Sequence, residues 1–183
     1  ELISRGKQRL QLYEWESSAK NLYKACKRVV FRKSEDIRVS GRISSNDYPL
    51  VTIVTPSLNQ GRFLRETIES VLNQSYPHIE YLVMDGGSQD NSIDILKSYG
   101  DEISWVSEPD HGQSDALNKG FKRSKGEVLA YLNSDDLLLP NAVSTVIECL
   151  LQHPDWDLVY GRAQYIVKEG RVTGIYTTVD YSF

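Results

Sequence analysis

The sequence predicts an α/β protein built on a mainly parallel central sheet with helices on both faces, with a separate helical segment at its N-terminus. Three observations carry this. From Leu50 onward, short β-rich runs alternate with segments of helical apolar spacing. Each β-rich run ends on a polar, loop-forming cluster rather than a two-residue hairpin signal. The composition, 40% hydrophobic and 25% charged over 183 residues, is that of a globular domain with a full core and room for an appendage.

Taken in order, Leu50 to Thr55 is a β-rich run that Pro56 closes. Between Gly61 and Gln74 the apolar pairs Phe63/Leu64, Thr67/Ile68 and Val71/Leu72 recur at a four-residue step, which predicts a helix. Glu80 to Met84 is the second strand. Asp90 is placed to cap a helix that runs through Tyr99. Ile103 to Val106 is the third strand. Gln113 to Arg123 is helical, with Leu117 and Phe121 on one face and Asp115 paired with Lys119. Glu127 to Leu132 is the fourth strand, and a helix follows from about Pro140 to Gln152. The pattern then changes. Leu158 to Tyr160, Ala163 to Val167 and Val172 to Tyr176 are short strands, with a hairpin turn around Glu169-Gly170-Arg171.

Residues 1–48 read as a unit of their own, and 49–183 as the domain that follows. Trp15, Ala19, Leu22, Cys26 and Val29 form one apolar stripe on a helix that also carries Lys20, Lys24, Lys27 and Arg28. Such a stripe needs cover. Docking on the same or a neighbouring domain is the plain reading, and a membrane-surface helix is the alternative. Ser34 to Asp47 is a polar linker. The chain begins at Glu1 rather than Met, as a piece of a longer protein would.

A net charge of −4 argues against a general nucleic-acid surface. Cys26 and Cys149 match neither a metal spacing nor a disulfide framework, which suits a reducing, cytoplasmic setting. No apolar run approaches the ~20 residues of a membrane span, and no signal peptide is visible.

In parallel sheets, ligands bind outside the carboxyl ends of the strands. Thr55-Pro56-Ser57, Asp85-Gly86-Gly87, Ser107 to Asp110 and Asn133 to Asp136 each follow a strand, so all are expected on one sheet edge. The last of these sets two carboxylates, Asp135 and Asp136, side by side. Like charges so close cost free energy unless a cation or donors compensate them. Mg²⁺ or Mn²⁺ shared with substrate phosphates suits such a pair. A helix cap by Asp136 is the competing account. The segment Thr55 to Gly61 can cradle a phosphate or nucleoside on backbone N–H groups, or form a capped turn. It lacks the Lys of a P-loop, and no G-x-G-x-x-G follows the strand, so nucleotide triphosphatase and dinucleotide-oxidoreductase readings lose ground. Asp85 can accept from a base N–H or a ribose hydroxyl. Asp115 and Asn118 sit on the first turns of their helix, toward the cleft, while His111 reads as a solvated loop residue.

Together these segments resemble glycosyltransferase family 2 and its nucleotide-sugar-binding GT-A fold. Val51 to Asn59 is similar to the family's opening strand and nucleoside loop, and Thr67 to Tyr76 to its first-helix signature. Val83-Met84-Asp85-Gly86-Gly87-Ser88-Gln89-Asp90 resembles its D-D/G-G-S-x-D segment. Glu108 to Gly120 resembles E-P-D-x-G-x-x-D-A-x-N-K-G. Gly126-Glu127 followed by Asn133-Ser134-Asp135-Asp136 resembles the G-E/D strand and its D-x-D. Gly6 to Ala19 faintly resembles the closing helix of family 4, GT-B-type enzymes, which implies a second transferase module in tandem.

The resemblance implies a metal-dependent, inverting transfer of a sugar from a nucleotide-diphosphate donor to a hydroxyl of a glycan or lipid-linked acceptor, in polysaccharide biosynthesis, at or near the inner membrane face. Thr55, Ser57, Asn59 and Asp85 would meet the nucleoside side of the donor. Asp115, Asn118 and Ser134 would lie near the donor. Asp135, with Asp136, would hold Mg²⁺ or Mn²⁺ on the diphosphate. Two departures stand out: Gly86 replaces an acid that often meets the base, and Asn133 replaces the first acid of D-x-D. The family's general base lies well past the D-x-D, and is expected beyond Phe183. A non-catalytic nucleotide-sugar-binding or scaffold fragment is the alternative function. A nucleotidyltransferase is a third, weakened by the poor match of Asn59-Gln60-Gly61-Arg62 to a basic glycine-rich loop.

Overall fold

The computed structural model describes residues 48–167 and 171–176. The expected N-terminal helix and its linker, and most of the expected hairpin turn, lie outside the described residues. The chain divides into two compact units, residues 1–142 and 143–183.

The first unit holds a four-stranded parallel sheet of β1 (Val51–Ser57), β2 (Ile79–Asp85), β3 (Ser104–Ser107) and β4 (Val128–Tyr131), in the order β3-β2-β1-β4. Three helices connect the strands: α1 (Leu64–Leu72), α2 (Ser92–Ser98) and α3 (Gln113–Arg123). Parallel crossovers are right-handed. Stepping from β1 to β2 to β3 therefore puts α1 and α2 on one face, where they touch each other. The return from β3 past β1 to β4 puts α3 on the other, packed on β1 and β2. There Ala116 and Leu117 join Val54, Leu82 and Met84 in a buried cluster. β1 is covered on both faces and buried throughout, which explains why it reads as a nearly continuous apolar run.

The first strand does not stop at Pro56, as the sequence suggested; it continues to Ser57. The carbonyl of Val54 accepts from Leu132 on the β4 side, while that of Ser57 accepts from Gly86 on the β2 side. Alternate residues face alternate neighbours, so Pro56 faces the β4 side. Pairing with β4 ends at Val54, so Pro56 gives up no ladder bond. Strand order reverses between β1 and β4, the kind of place where open α/β sheets bind ligands.

In the second unit, helix α4 (Ala142–Gln152, whose first residue closes the first unit) precedes an antiparallel hairpin of β5 (Ala163–Ile166) and β6 (Val172–Tyr176), irregular between Tyr165 and Ile166. Leu158 to Tyr160, expected as a strand, is not one.

Candidate functional site

Ser57, Asp85 and Ser107 close β1, β2 and β3 in register, so the first three polar clusters do meet on one edge. Asp85 organises that edge. Its carboxylate is 2% exposed and saturated by donors: Oδ1 accepts from Ser88 Oγ at 2.5 Å, and Oδ2 from the N–H groups of Gly87 at 3.0 Å and Ser88 at 2.9 Å and from Ser107 Oγ at 2.7 Å. The turn this imposes puts Gly87 at φ +89°, which favours glycine.

Asn59 clasps this loop from the other side. With φ at 54°, in the left-handed region that Asn tolerates, it donates its N–H to Ser88 Oγ at 2.7 Å, while its Oδ1 accepts from the N–H of Gln89 at 2.8 Å. Asp90 adds a second tie. It accepts from Ser92 N–H at 2.9 Å and from Gly61 N–H at 2.9 Å, but it stands one residue before the helix N-cap, which is Asn91 and not Asp90 as expected. These hydrogen bonds, Ser92's first, hold its carboxyl below the usual carboxylate range. Ser57, 5% exposed, has a hydroxyl with no partner among the described residues. Thr55 lies deeper. It is fully covered, and its Oγ1 accepts from Tyr81 Oη at 3.0 Å, so it supports the edge from beneath rather than presenting a hydroxyl on it.

The loop after β3 is stapled to α3. Lys119 Nζ reaches Pro109 O at 3.1 Å, Asp115 Oδ2 at 3.2 Å and Glu108 Oε1 at 3.4 Å. The Asp115 carboxylate also accepts from the N–H of His111 at 3.1 Å; that bond and then Lys119 keep its carboxyl below the usual range. Asn118 is exposed on the same helix. The loop also accounts for Gly86. A Cβ built there would stand 2.7 Å from Asp110 Oδ2, so the carboxylate of Asp110 fills the space that a side chain after Asp85 would use.

The Asn133–Asp136 turn caps no helix, since α4 begins only at Ala142. Instead Asp136 N–H donates to Asn133 O at 3.1 Å, and α1 holds the turn from below. The fully buried Thr67 places Oγ1 at 2.9 Å from Ser134 O and 3.0 Å from Asp136 O. Ser70 Oγ accepts from Leu138 N–H at 3.2 Å, and Gln74 Nε2 donates to Leu139 O at 2.8 Å. Ser134 is thereby buried, while Asp135 and Asp136 project as exposed side chains. Sequence reasoning missed, as organisers of this edge, Ser88, Ser107, Thr67 and Gln113, whose Nε2 donates to Asn133 Oδ1 at 2.5 Å. Only Ser88 had a local signal, as the third residue of the glycine turn after Asp85.

Among the described residues no group of three or more His, Cys, Asp or Glu is placed to hold a metal ion. The donor set at the turn is an exposed carboxylate, Asp135, beside Asp136, of which Oδ2 already accepts from Asn133 Nδ2 at 2.9 Å. A small carboxylate set suits a hard cation that draws its remaining oxygens from phosphate and water. No described helix is long and apolar enough to cross a membrane.

Comparison with known proteins adds a consistent frame. A family model described as Glycosyl transferase family 2 matches residues 52–178. An uncharacterized glycosyltransferase of Rickettsia typhi is 38% identical over 118 residues, 64% of this chain and 37% of its own length. The crystal structure of S. aureus TarS 1-349 in complex with UDP-GlcNAc shares the fold at TM-score 0.53 and 20% identity, over 57% of this chain and 32% of that one. So does the mannosyltransferase PcManGT from Pyrobaculum calidifontis in complex with GDP-Man and Mn²⁺, at TM-score 0.51 and 22% identity, over 71% of this chain and 38% of that one. The chain thus spans about a third of the length of each of these proteins.

Proposed function

The chain belongs to glycosyl transferase family 2, and on that premise we propose that its sheet edge binds a nucleoside-diphosphate sugar with a divalent cation, for transfer of the sugar to a hydroxyl of a glycan or lipid-linked acceptor. One observation supports the reading: the loops that follow all four parallel strands lie on the same carboxyl edge of the sheet, and the exposed carboxylate of Asp135 is on one of them. The unpartnered Ser57 hydroxyl supports a polar ligand group at the end of β1. Asp85 and Asn59 act by holding the nucleoside loop, and Thr55 by supporting it from within the sheet. Asp115 and Asn118 flank the donor from α3, and Ser134 fixes the turn that carries Asp135.

Asp135, assisted by Asp136, would hold Mg²⁺ or Mn²⁺, which offsets the charge of the leaving diphosphate. The complexes of relatives with UDP-GlcNAc and with GDP-Man and Mn²⁺ support a nucleotide sugar and a divalent cation here. The reading includes inversion at the anomeric carbon, where the acceptor hydroxyl gives its proton to a general base. No described residue is assigned that proton transfer. It also includes a cytoplasmic setting, supported by the widely spaced cysteines.

Thermal shift with UDP, GDP and their sugars, with and without Mn²⁺, tests the site. A ligand at a hundred times its Kd stabilises by about 2.7 kcal/mol. The expected result is a Mn²⁺-dependent rise in Tm that Asp135→Ala removes. An Asp135→Ala protein with unchanged Mn²⁺ dependence overturns the assignment.

A further inference from the structure

The donor proposed above has its diphosphate and cation at Asp135, in the loop after β4. The order β3-β2-β1-β4 then sets where its other end falls. Neighbouring strands stand about 4.8 Å apart, so a ribose and base that reach from the diphosphate across β1 meet the loops after β2 and β3. Two carboxylates stand there, Asp85 and Asp110. Asp85 has nothing left to offer a ligand. It is buried, and four donors fill the roughly four lone-pair sites of its carboxylate. Asp110 is half-buried, and its Oδ1 accepts from the N–H of Gly112 at 2.8 Å. Among the described residues no donor or cation is paired with its Oδ2. The loop holds that oxygen in place. The N–H of Glu108 donates to Asp85 O at 2.9 Å, and Lys119 Nζ donates to Pro109 O at 3.1 Å, which ties the loop to β2 and to α3. Oδ2 lies over Gly86, 2.7 Å from where a Cβ would stand, and the N–H of Gly86 donates to Ser57 O at 2.8 Å. A free, charged acceptor therefore stands over bare backbone at the end of β2.

We propose that Asp110 reads the base of the donor by accepting an N–H through Oδ2, and that the site takes uracil, thymine or guanine and refuses cytosine and adenine. The inference rests on the proposed donor site and names its nucleoside. A carboxylate only accepts at neutral pH. Uracil and thymine present an N–H at N3 and guanine one at N1, each made more acidic by an adjoining carbonyl and so a strong donor to a charged acceptor. At the corresponding ring nitrogens cytosine and adenine carry a lone pair. It repels the carboxylate and leaves Oδ2 without a donor, which discriminates against these bases as strongly as the bond favours the others.

Isothermal titration calorimetry of the full chain with UDP, GDP, CDP and ADP at fixed Mn²⁺ tests this, for the parent, Asp110→Asn and Gly86→Ala. The parent is expected to bind UDP or GDP at least tenfold more tightly than CDP and ADP. Asp110→Asn keeps an acceptor for Gly112 and turns the free oxygen into an NH₂ donor. It is expected to lose about ten- to hundredfold for the preferred nucleotide, the range of a hydrogen bond to a charged group, and to gain for CDP or ADP, whose lone pair the amide can meet. Gly86→Ala leaves Asp110 chemically intact but drives Oδ2 aside. The clash is with the end of a side chain, so the fold absorbs it while the preference narrows in the same direction. A loop that had merely loosened would weaken all four nucleotides alike. Tm without nucleotide checks the fold of each variant, and Gly86→Ala decides the matter if Asp110→Asn does not fold. A parent that binds CDP or ADP as tightly as UDP and GDP, or an unchanged ratio in the folded variants, overturns the inference and leaves the donor site standing. A parent that binds none of the four defeats the proposed function and this inference with it.

Discussion

Thr67, fully buried, has a single hydroxyl proton and three carbonyl oxygens within reach, those of Ser134 and Asp136 and, farther at 3.5 Å, of Phe63 in its own helical turn. Thr67→Val keeps the shape and deletes the donor. It leaves buried carbonyl oxygens without that partner, a loss of about 1–3 kcal/mol. Urea unfolding is expected to show the midpoint falling with the slope unchanged, while Thr67→Ser retains most of the stability. A Thr67→Val protein as stable as the parent sinks the claim that this hydroxyl anchors the Asn133–Asp136 turn. At this scale legibility follows distance along the chain. The Asp85-Gly86-Gly87-Ser88 turn was visible because its donors to Asp85 lie two and three residues away. Ser107 donates to the same carboxylate across 22 positions and Thr67 reaches Ser134 across 67, separations at which a single sequence has no pattern to show. Thr67 was legible only as one member of an apolar helix face, paired with Ile68.

Among the elements, α3 lies so close to β1 that Gly120 has no room for a side chain. A Cβ there would stand 2.4 Å from Val54 Cγ1 and 3.1 Å from Met84 Cγ. Overpacking of this kind costs about 1–3 kcal/mol, against a helix-propensity gain for Ala of roughly 0.5–1 kcal/mol. Gly120→Ala is therefore expected to destabilise on balance. Because the severe clash is with the Val54 side chain, adding Val54→Ala should cost less than the sum of the two single changes. Additive losses would mean that the helix has shifted instead. The alternation of strand and helix was legible because each element carries its own period, and so was α3 itself, whose range the apolar spacing and the Asp115–Lys119 pair gave correctly. The end of β1 was not. Pro56 signals a break only if its missing N–H had a partner, and that depends on how far β4 runs beside β1, which is a property of the pair and not of the strand.

At the scale of the molecule, four parallel strands follow from the alternation, but the order β3-β2-β1-β4 does not, since nothing local says that the fourth strand returns past β1. The convergence of the loops survived that ignorance, because every order of a parallel sheet puts all carboxyl ends on one edge. The charge state of the whole molecule sets a final expectation. Asp90 and Asp115 are held below the usual carboxylate range. Such groups add stability that is present above their unfolded value, about 4, and is lost as pH falls through the folded one. Tyrosines bound the other side. Burial pushes Tyr81 up, and pushes Tyr76 up to about 12 with help from Tyr48 and Glu127. Above about pH 10 the unfolded chain gives up these protons while the folded one keeps them. The unfolded state then binds fewer protons, so stability falls as pH rises from about 10 through the folded values. Tm measured against pH should thus be flat through neutrality and decline on both flanks. Tyr81→Phe separates the tyrosine contribution. It deletes the hydrogen bond to Thr55, so it should lower Tm at pH 7 and make the decline above pH 10 shallower. If the alkaline slope of Tyr81→Phe matches that of the parent, the buried Tyr81–Thr55 pair is not what limits the fold in base.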